Sequence, residues 1–180
     1  MKPLLIASLL LVANTAFAAN RVLLESPITY ADNAGVVDRI RQECGIENML
    51  ETRVGRVLEG LNKGGDSTIA AGTKPADATV LRLQITNVMG VGGGAWSGPK
   101  SITVSADLID NGKVTRHTRF SRATTGGAFG GFKGTCALLE RCAATIGKDL
   151  GRWIKDPAYS VPEEAAPAKD EAPASAASGG

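Results

Sequence analysis

TVLRLQITNV at residues 79–88 and SITVSADLI at residues 101–109 are the two stretches that decide the fold of this chain. In both stretches apolar side chains alternate with polar ones, so each predicts a strand with one buried face and one wet face. Residues 113–122 (KVTRHTRFSR) continue the pattern more weakly, with Val114 and Phe120 as the apolar positions. The three segments therefore predict an antiparallel sheet that is covered on one side only.

Segments with helical periodicity lie on both sides of these strands and predict the covering layer. Residues 33–44 and 46–61 carry apolar side chains at helical spacing, with Gly45 as an interruption. A second amphipathic helix begins at Thr135 and ends before Pro157. Its apolar stripe consists of Leu139, Cys142, Ala143, Ile146, Leu150, Trp153 and Ile154.

A short strand candidate at residues 21–25 (RVLLE) completes the element order β-α-β-β-β-α. This order predicts the α+β class, as a two-layer sandwich with two helices on one face of a four-stranded mixed sheet. If the first two strands are parallel, the first long helix is their right-handed crossover.

The turn at residues 110–112 (Asp-Asn-Gly) leaves two registers open for the strands around it. A two-residue Asn-Gly loop would set Leu108 opposite Thr115, which places the apolar residues of the two strands on opposite faces. A three-residue loop with a left-handed Gly112 would set Leu108 opposite Val114 instead.

We prefer the three-residue loop because it gives one coherent apolar face. In that register Ile102 lies opposite Phe120, and Arg116 turns inward beside Ala106. An inward charge is typical of an edge strand that is guarded against aggregation.

Residues 1–18 have the features of a secretory signal peptide. Lys2 gives a positive start, residues 3–12 are almost entirely apolar, and Ala16-Phe17-Ala18 matches a cleavage site. The apolar run is too short for a membrane span, so we expect none and place the protein in the periplasm or outside the cell. Residues 19–156 are then one α+β domain, and residues 157–180 are an Ala/Pro/Glu-rich tail that we expect to be disordered.

The charge of the chain excludes one class of partner. The 180 residues include 20 basic and 18 acidic side chains, which gives a net charge of +2. A nucleic-acid-binding protein carries a much larger excess of basic residues. We expect a monomer whose partner is an envelope protein or an anionic component of the envelope.

Three cysteines, Cys44, Cys136 and Cys142, allow one internal disulfide and leave one thiol over. The predicted chain directions bring both helix starts to one end of the sheet, which favours Cys44–Cys136. Cys44–Cys142 stays open. Cys136–Cys142 requires a non-helical start of the last helix, because six helical residues span about 9 Å. Cys142 lies on the apolar stripe and suits the role of a buried free thiol.

No other cluster of residues predicts chemistry. Ser105, Asp107 and His117 are the residue types of a hydrolytic triad, but they would lie on a flat, wet sheet face without a pocket. The glycine-rich residues 90–94 join two strands, and residues 130–135 lack the order of a phosphate-binding loop. We therefore expect no enzyme activity, no cofactor and no metal site.

One end of the predicted sheet combines aromatic and basic side chains. The loops 89–99 and 123–134 meet there beside two helix N-termini, which favour anions. The candidate binding residues are Trp96, Lys100, Arg122, Phe129, Phe132 and Lys133. They form either a contact patch for a partner or flexible connectors whose aromatic side chains cap the core.

Several short motifs resemble a family of uncharacterised bacterial secreted proteins. They comprise Glu43-Cys44, the segment GGFKGTC at residues 130–136, Arg141-Cys142, residues 147–150 and Trp153. The order of elements also resembles the envelope proteins LptE and the N-terminal domain of TolB. The resemblance implies a non-enzymatic periplasmic binding or envelope-assembly accessory domain. A structural or stress-related secreted protein is the alternative, and a hydrolase comes last.

Overall fold

A computed structural model describes residues 21–90, 99–124 and 134–160 of the chain. The strands are β1 (Arg21–Ser26), β2 (Thr29–Gly35), β3 (Thr68–Ala70), β4 (Ala78–Met89), β5 (Lys100–Asp110) and β6 (Lys113–Thr124). The helices are α1 (Asp38–Cys44), α2 (Ile46–Leu61) and α3 (Thr135–Lys155). The predicted leader and all of the predicted tail after residue 160 lie outside the described residues.

The sheet has the order β3-β1-β4-β5-β6, and β2 pairs with β4 beyond the end of β1. β1 runs parallel to β4, as predicted for the first two strands, whereas β4, β5 and β6 are antiparallel neighbours. The sheet is thus mixed, but it contains six strands instead of the predicted four. The two additional strands are β2 and β3, which the sequence analysis did not predict.

The helices cover one face of the sheet and give the α+β two-layer sandwich that the sequence predicts. The core consists of side chains from the helix-facing positions of β1, β4, β5 and β6 together with those of α2 and α3. Leu24, Leu50, Ile85, Val104 and Ile146 in this core are fully buried. Burial of this apolar surface is the main stabilising contribution to the fold.

Gly45 divides the first helical segment into α1 and α2. It has a φ of 55°, in the left-handed region that glycine adopts without strain, and it ends α1 and precedes α2. α1 begins at Asp38 and not at residue 33, because residues 29–35 belong to β2. The structure therefore has three helices among its described residues, where two were predicted.

The loop between β5 and β6 contains two residues, so the predicted three-residue loop is wrong. Asp110 pairs directly with Lys113. Asn111 and Gly112 have φ values of 50° and 77°, and two positive values are what a type I′ hairpin turn requires. Asparagine and glycine are the residues best suited to these two positions.

A bulge in β6 brings Phe120 to the same face as Val104 and Leu108 despite the short loop, whereas Val114 lies opposite Ile109 on the outer face and is exposed. Thr115 is the extra residue, and beyond it the pairing is shifted by one position. The predicted pairs Leu108–Val114 and Ile102–Phe120 are replaced by Leu108–Arg116 and Val104–Phe120. The predicted place of Val114 on the helix-facing side is therefore wrong, because the bulge has no distinct signal in the sequence.

β6 is an edge strand, as predicted, and Arg116 lies on its helix-facing side. Its neighbour on β5 is Leu108, not the predicted Ala106. The outer face of the sheet is also less open than expected. Val80 and Ile109 lie on that face and are buried beneath the segment 72–75.

Candidate functional site

The predicted binding residues that the structure describes lie at one end of the sheet. Lys100 pairs with Thr124 across β5 and β6, and Arg122 lies opposite Ile102 and contacts Asp149 in the second half of α3. Four members of the predicted patch, Trp96, Phe129, Phe132 and Lys133, lie outside the described residues. The two strand ends lie beside α3, and the patch itself stays a prediction.

Lys100 is fully buried at the start of β5. This burial lowers the pKa of its ammonium group, because desolvation disfavours the charged form. Its backbone carbonyl accepts a hydrogen bond from the Cys142 thiol, with 3.5 Å between sulfur and oxygen. Lys100 thus belongs to the interior at this end of the sheet and not to an exposed contact surface.

Arg122 is held by a carboxylate on the neighbouring helix. Its Nε donates to Asp149 Oδ2 over 2.6 Å, and the Tyr159 hydroxyl donates to Asp149 Oδ1 over 2.8 Å. Asp149 is only 3% exposed, so both hydrogen bonds compensate a buried charge. Tyr159 was assigned to the tail, but this contact attaches it to the domain.

The disulfide between Cys44 and Cys136 is present, as favoured by the predicted chain directions. It joins the end of α1 to the first turn of α3, with 5.1 Å between the two Cα atoms. Cys142 is buried and is not part of the disulfide. Within the described residues, no three His, Cys, Asp or Glu side chains are grouped so that they could hold a metal ion.

The residue types of a triad do not assemble into one. His117 lies directly opposite Asp107, and its Nδ1 is 2.6 Å from Asp107 Oδ1. Ser105 lies opposite Arg119, whereas the predicted register placed it opposite His117. The imidazole is exposed on the outer face of the sheet, so this pair lacks both a nucleophile and shelter from water.

A cleft of about 640 Å³ opens at the other end of the molecule, where α2 and α3 end above the β5–β6 turn. Its volume is within the range of small-molecule binding sites. The apolar part of the lining comes from four different elements and consists of Val22, Leu61, Leu108 and Ile154. Charged side chains around it are Arg21, Lys63, Asp110, Arg116 and Lys155.

Side-chain hydrogen bonds fix the walls of this cleft. The Asn62 amide accepts from the Val22 backbone N–H over 3.1 Å and donates to the Val22 carbonyl over 2.9 Å. These two bonds attach the end of α2 to β1, in the way that a neighbouring strand would. The walls are therefore connected to the sheet and form part of a preformed site.

The cations at the cleft differ in what they already contact. Arg116 donates to the Trp153 carbonyl over 2.8 Å, and Arg21 forms an ion pair with Asp77 at 3.0 Å. Lys63 and Lys155 are exposed and form none of the salt bridges found among the described residues. The two lysines are thus the cations best placed to meet a ligand.

The sequence analysis did not predict this cleft. Its charged residues are scattered along the chain, and each lies at the end of an element or in the bulged part of β6. The feature that could have predicted their proximity is the order and direction of the elements. Strands β1 and β4 begin, and helices α2 and α3 end, at the same end of the sandwich.

The chain is similar to several solved bacterial structures, but its sequence identity to them is low. No family model matches the chain, and no curated protein matches it. None of the helices in the described residues is long and apolar enough to cross a membrane.

Three solved structures illustrate the likeness. A PelC dodecamer from Paraburkholderia phytofirmans is 18% identical with a TM-score of 0.47, covering 73% of this chain and 89% of that chain. A minor lipoprotein from Acinetobacter baumannii is 16% identical with a TM-score of 0.45, covering 76% and 90%. A Xanthomonas campestris protein of the family DUF330 is 15% identical with a TM-score of 0.42, covering 74% and 82%. These likenesses are distant, and the resemblance to LptE and TolB stays a prediction.

Proposed function

We propose that this protein is a non-catalytic binding domain that works outside the cytoplasm, as an accessory domain of the bacterial envelope. The observation that carries the proposal is the preformed cleft at the ends of α2 and α3, with its apolar walls and its basic rim. Apolar walls with a few convergent polar groups are what small-molecule binding sites have in common.

Two features support a place outside the cytoplasm. The first 18 residues have the pattern of a secretory leader. The Cys44–Cys136 disulfide requires an oxidising compartment to form and persist.

The chemistry of the cleft supports binding over catalysis. Asp110 is the one carboxylate in its lining, and it accepts hydrogen bonds from the hydroxyls of Thr79 and Thr115. Among the described residues that line the cleft there is no histidine and no cysteine. A general acid–base pair or an activated nucleophile would need such groups within reach of each other.

Native mass spectrometry of the protein purified from the periplasm tests this proposal. We expect the protein to carry a bound molecule that is absent from an Ile154→Trp variant, because the larger side chain fills the cleft with apolar volume. An Arg119→Ala variant on the outer face is the matched control and should keep the molecule. An empty wild-type protein, or equal occupancy in the Ile154→Trp variant, would contradict the proposal.

A second contact surface is proposed at the opposite end of the sheet, around the predicted patch residues Trp96 and Lys133 and the start of α3. The first turn of α3 has no side-chain cap, so its backbone N–H groups favour an acidic partner. Replacing Trp96 and Lys133 together should abolish partner binding and leave the thermal midpoint unchanged. If stability falls by several kcal/mol and binding persists, these side chains belong to the core, and a structural or stress-related role is favoured.

A further inference from the structure

We infer that the cleft binds a single-chain amphiphile, an unbranched acyl chain that ends in a carboxylate. This inference rests on the proposed function and names the chemical class of its ligand. The site is composed of the apolar wall residues Val22, Leu61, Leu108 and Ile154 and of two lysines, Lys63 and Lys155.

The apolar walls favour a hydrocarbon chain over a polar ligand. Val22 on β1 and Leu108 on β5 lie on either side of β4 at 8% and 6% exposure, and they form a floor rather than a projecting patch. Leu61 and Ile154 stand above that floor on the last residues of two helices that pack against each other. A volume of about 640 Å³ exceeds what one ring or a short peptide side chain would fill and suits an extended, flexible chain.

The charges around the cleft favour an anionic end group. Four cations and one carboxylate line it, and that carboxylate already accepts two hydroxyl hydrogen bonds. Arg21 and Arg116 are held by Asp77 and by the Trp153 carbonyl, which leaves Lys63 and Lys155 to meet the ligand. Lys63 lies two residues after the end of α2 and Lys155 is the last residue of α3, and both line the cleft.

The helix directions favour a monoanion over a doubly charged phosphate. α2 and α3 both present their C-terminal ends to the cleft, where the carbonyl groups carry partial negative charge. Phosphate is bound preferentially at helix N-termini and by arginine forks, and the arginines here have other partners. A carboxylate needs only the two point charges that the lysines supply.

Binding of a fatty-acid series tests the inference. In a Trp96→Phe protein, Trp153 is the one remaining tryptophan, and its indole contacts Arg116, which lines the cleft. Decanoate, laurate and myristate should quench or shift its fluorescence, with a Kd that falls up to about fourfold per added methylene. Dodecanol, which has the same chain as laurate without the charge, should bind at least about tenfold more weakly.

Charge-reversal variants separate the head group from the chain. Lys63→Glu combined with Lys155→Glu should weaken laurate binding about tenfold or more and leave dodecanol binding unchanged. Lys148→Glu reverses an exposed lysine on α3 that lies outside the cleft, and it should change neither Kd. Ile154→Trp should abolish both interactions.

Four outcomes would overturn the inference. Equal binding of laurate and dodecanol would show that the cleft does not recognise an anionic end group. Laurate binding that survives Ile154→Trp would show that the ligand binds elsewhere on the protein. Tighter binding after deletion of residues 161–180 would identify the chain's own tail as the occupant. A laurate affinity that falls as the protein self-associates would identify a second copy of the chain as the occupant of the cleft.

The proposed function can survive the failure of this inference. If no fatty acid binds but native mass spectrometry finds another molecule that Ile154→Trp displaces, only the ligand class is wrong. If neither experiment finds a ligand, the binding function fails as well.

Discussion

The guanidinium carbon of Arg116 lies 4.4 Å from the centroid of the Trp153 indole ring, and one of its amino groups donates to the Trp153 carbonyl. This one side chain connects the edge strand β6 to the last turn of α3. Phe120 meets the same ring edge-on, with 6.2 Å between the centroids. The closure of the sandwich beside the cleft therefore depends on Trp153 and its two neighbours on β6.

Replacing Arg116 with alanine should lower the free energy of unfolding by about 1 to 2 kcal/mol, because a cation–π contact and a hydrogen bond are lost together. Arg119→Ala is the matched control. Arg119 is exposed on the same strand, so its loss should change the free energy by less than about 0.5 kcal/mol. Urea denaturation of the two variants measures the difference, and equal losses would contradict the role given to Arg116.

Removing the disulfide should lower stability far more than removing the Cys142 thiol. Cys44 and Cys136 are 92 residues apart, and a closed loop of that size stabilises the fold by about 4 to 5 kcal/mol in the chain-entropy model. We expect that loss for Cys44→Ser combined with Cys136→Ser. Denaturation with and without reductant provides the internal control, since reductant should affect only the wild type. Peptide mapping that finds Cys142 in the disulfide would contradict the assignment.

Gly147 should not tolerate a methyl group. A Cβ atom there would lie 3.2 Å from the Arg53 carbonyl oxygen, which belongs to the backbone of α2 and cannot move aside independently. Gly147→Ala should therefore destabilise the protein by about 1 to 3 kcal/mol. Gly60→Ala on α2 meets no atom within 4 Å and should stabilise it by about 0.5 to 1 kcal/mol. Thermal midpoints that fall for Gly147→Ala and rise for Gly60→Ala would confirm that α2 and α3 pack closely against each other at Gly147.

Two changes near the C-terminus should have different effects on the thermal midpoint. Deleting residues 163–180 should leave it unchanged, as expected of a tail that buries nothing. Tyr159→Phe should lower stability by about 1.5 kcal/mol or more, because the buried Asp149 carboxylate loses a donor. A tail deletion that costs several degrees would show that the tail packs on the domain.

The phenol of Tyr30 should ionise at unusually high pH. Burial raises its pKa to about 12, and the nearby Glu47 carboxylate adds to the rise. Folding therefore favours the neutral phenol, so this contribution to stability is complete below about pH 10 and is lost as the pH rises towards 12.

An absorbance titration of the Tyr159→Phe variant measures the pKa of Tyr30 directly, since the chain has two tyrosines. Glu47→Gln should move that pKa back towards 10, because it removes the charge that opposes the phenolate. A folded protein whose Tyr30 titrates near pH 10 would contradict the prediction.

Much of the architecture could be predicted because it depends on local periodicity. The alternation in β4 and β5 and the apolar stripe of α3 each report a buried face, and the disulfide follows from the directions of those elements. β2 escaped prediction because residues 29–35 (TYADNAG) carry no alternation, and their pairing with β4 holds only at the two ends. The bulge at Thr115 also depends on how β6 must fit Val104 and Leu108, which is a tertiary constraint.

The candidate site was harder to predict for a related reason. The cleft is defined by where four elements end relative to one another, whereas motif analysis detects residues that are close in sequence. The aromatic and basic patch was predicted because its residues lie in or next to two loops, 89–99 and 123–134, that the strand directions bring to one end of the sheet. Lys63 and Lys155 share a site although 91 intervening positions separate them in the chain.

The Cys44–Cys136 bond also changes the covalent topology of the molecule. Residues 44–136 form a closed ring that contains α2 and the strands β3, β4, β5 and β6, and two arms leave it side by side. One arm carries β1, β2 and α1, and the other is α3. A single cleavage by a protease anywhere in the ring opens it without producing two separate molecules. The three longest strands of the sheet therefore remain tethered to both arms after one cut, until a reductant releases them.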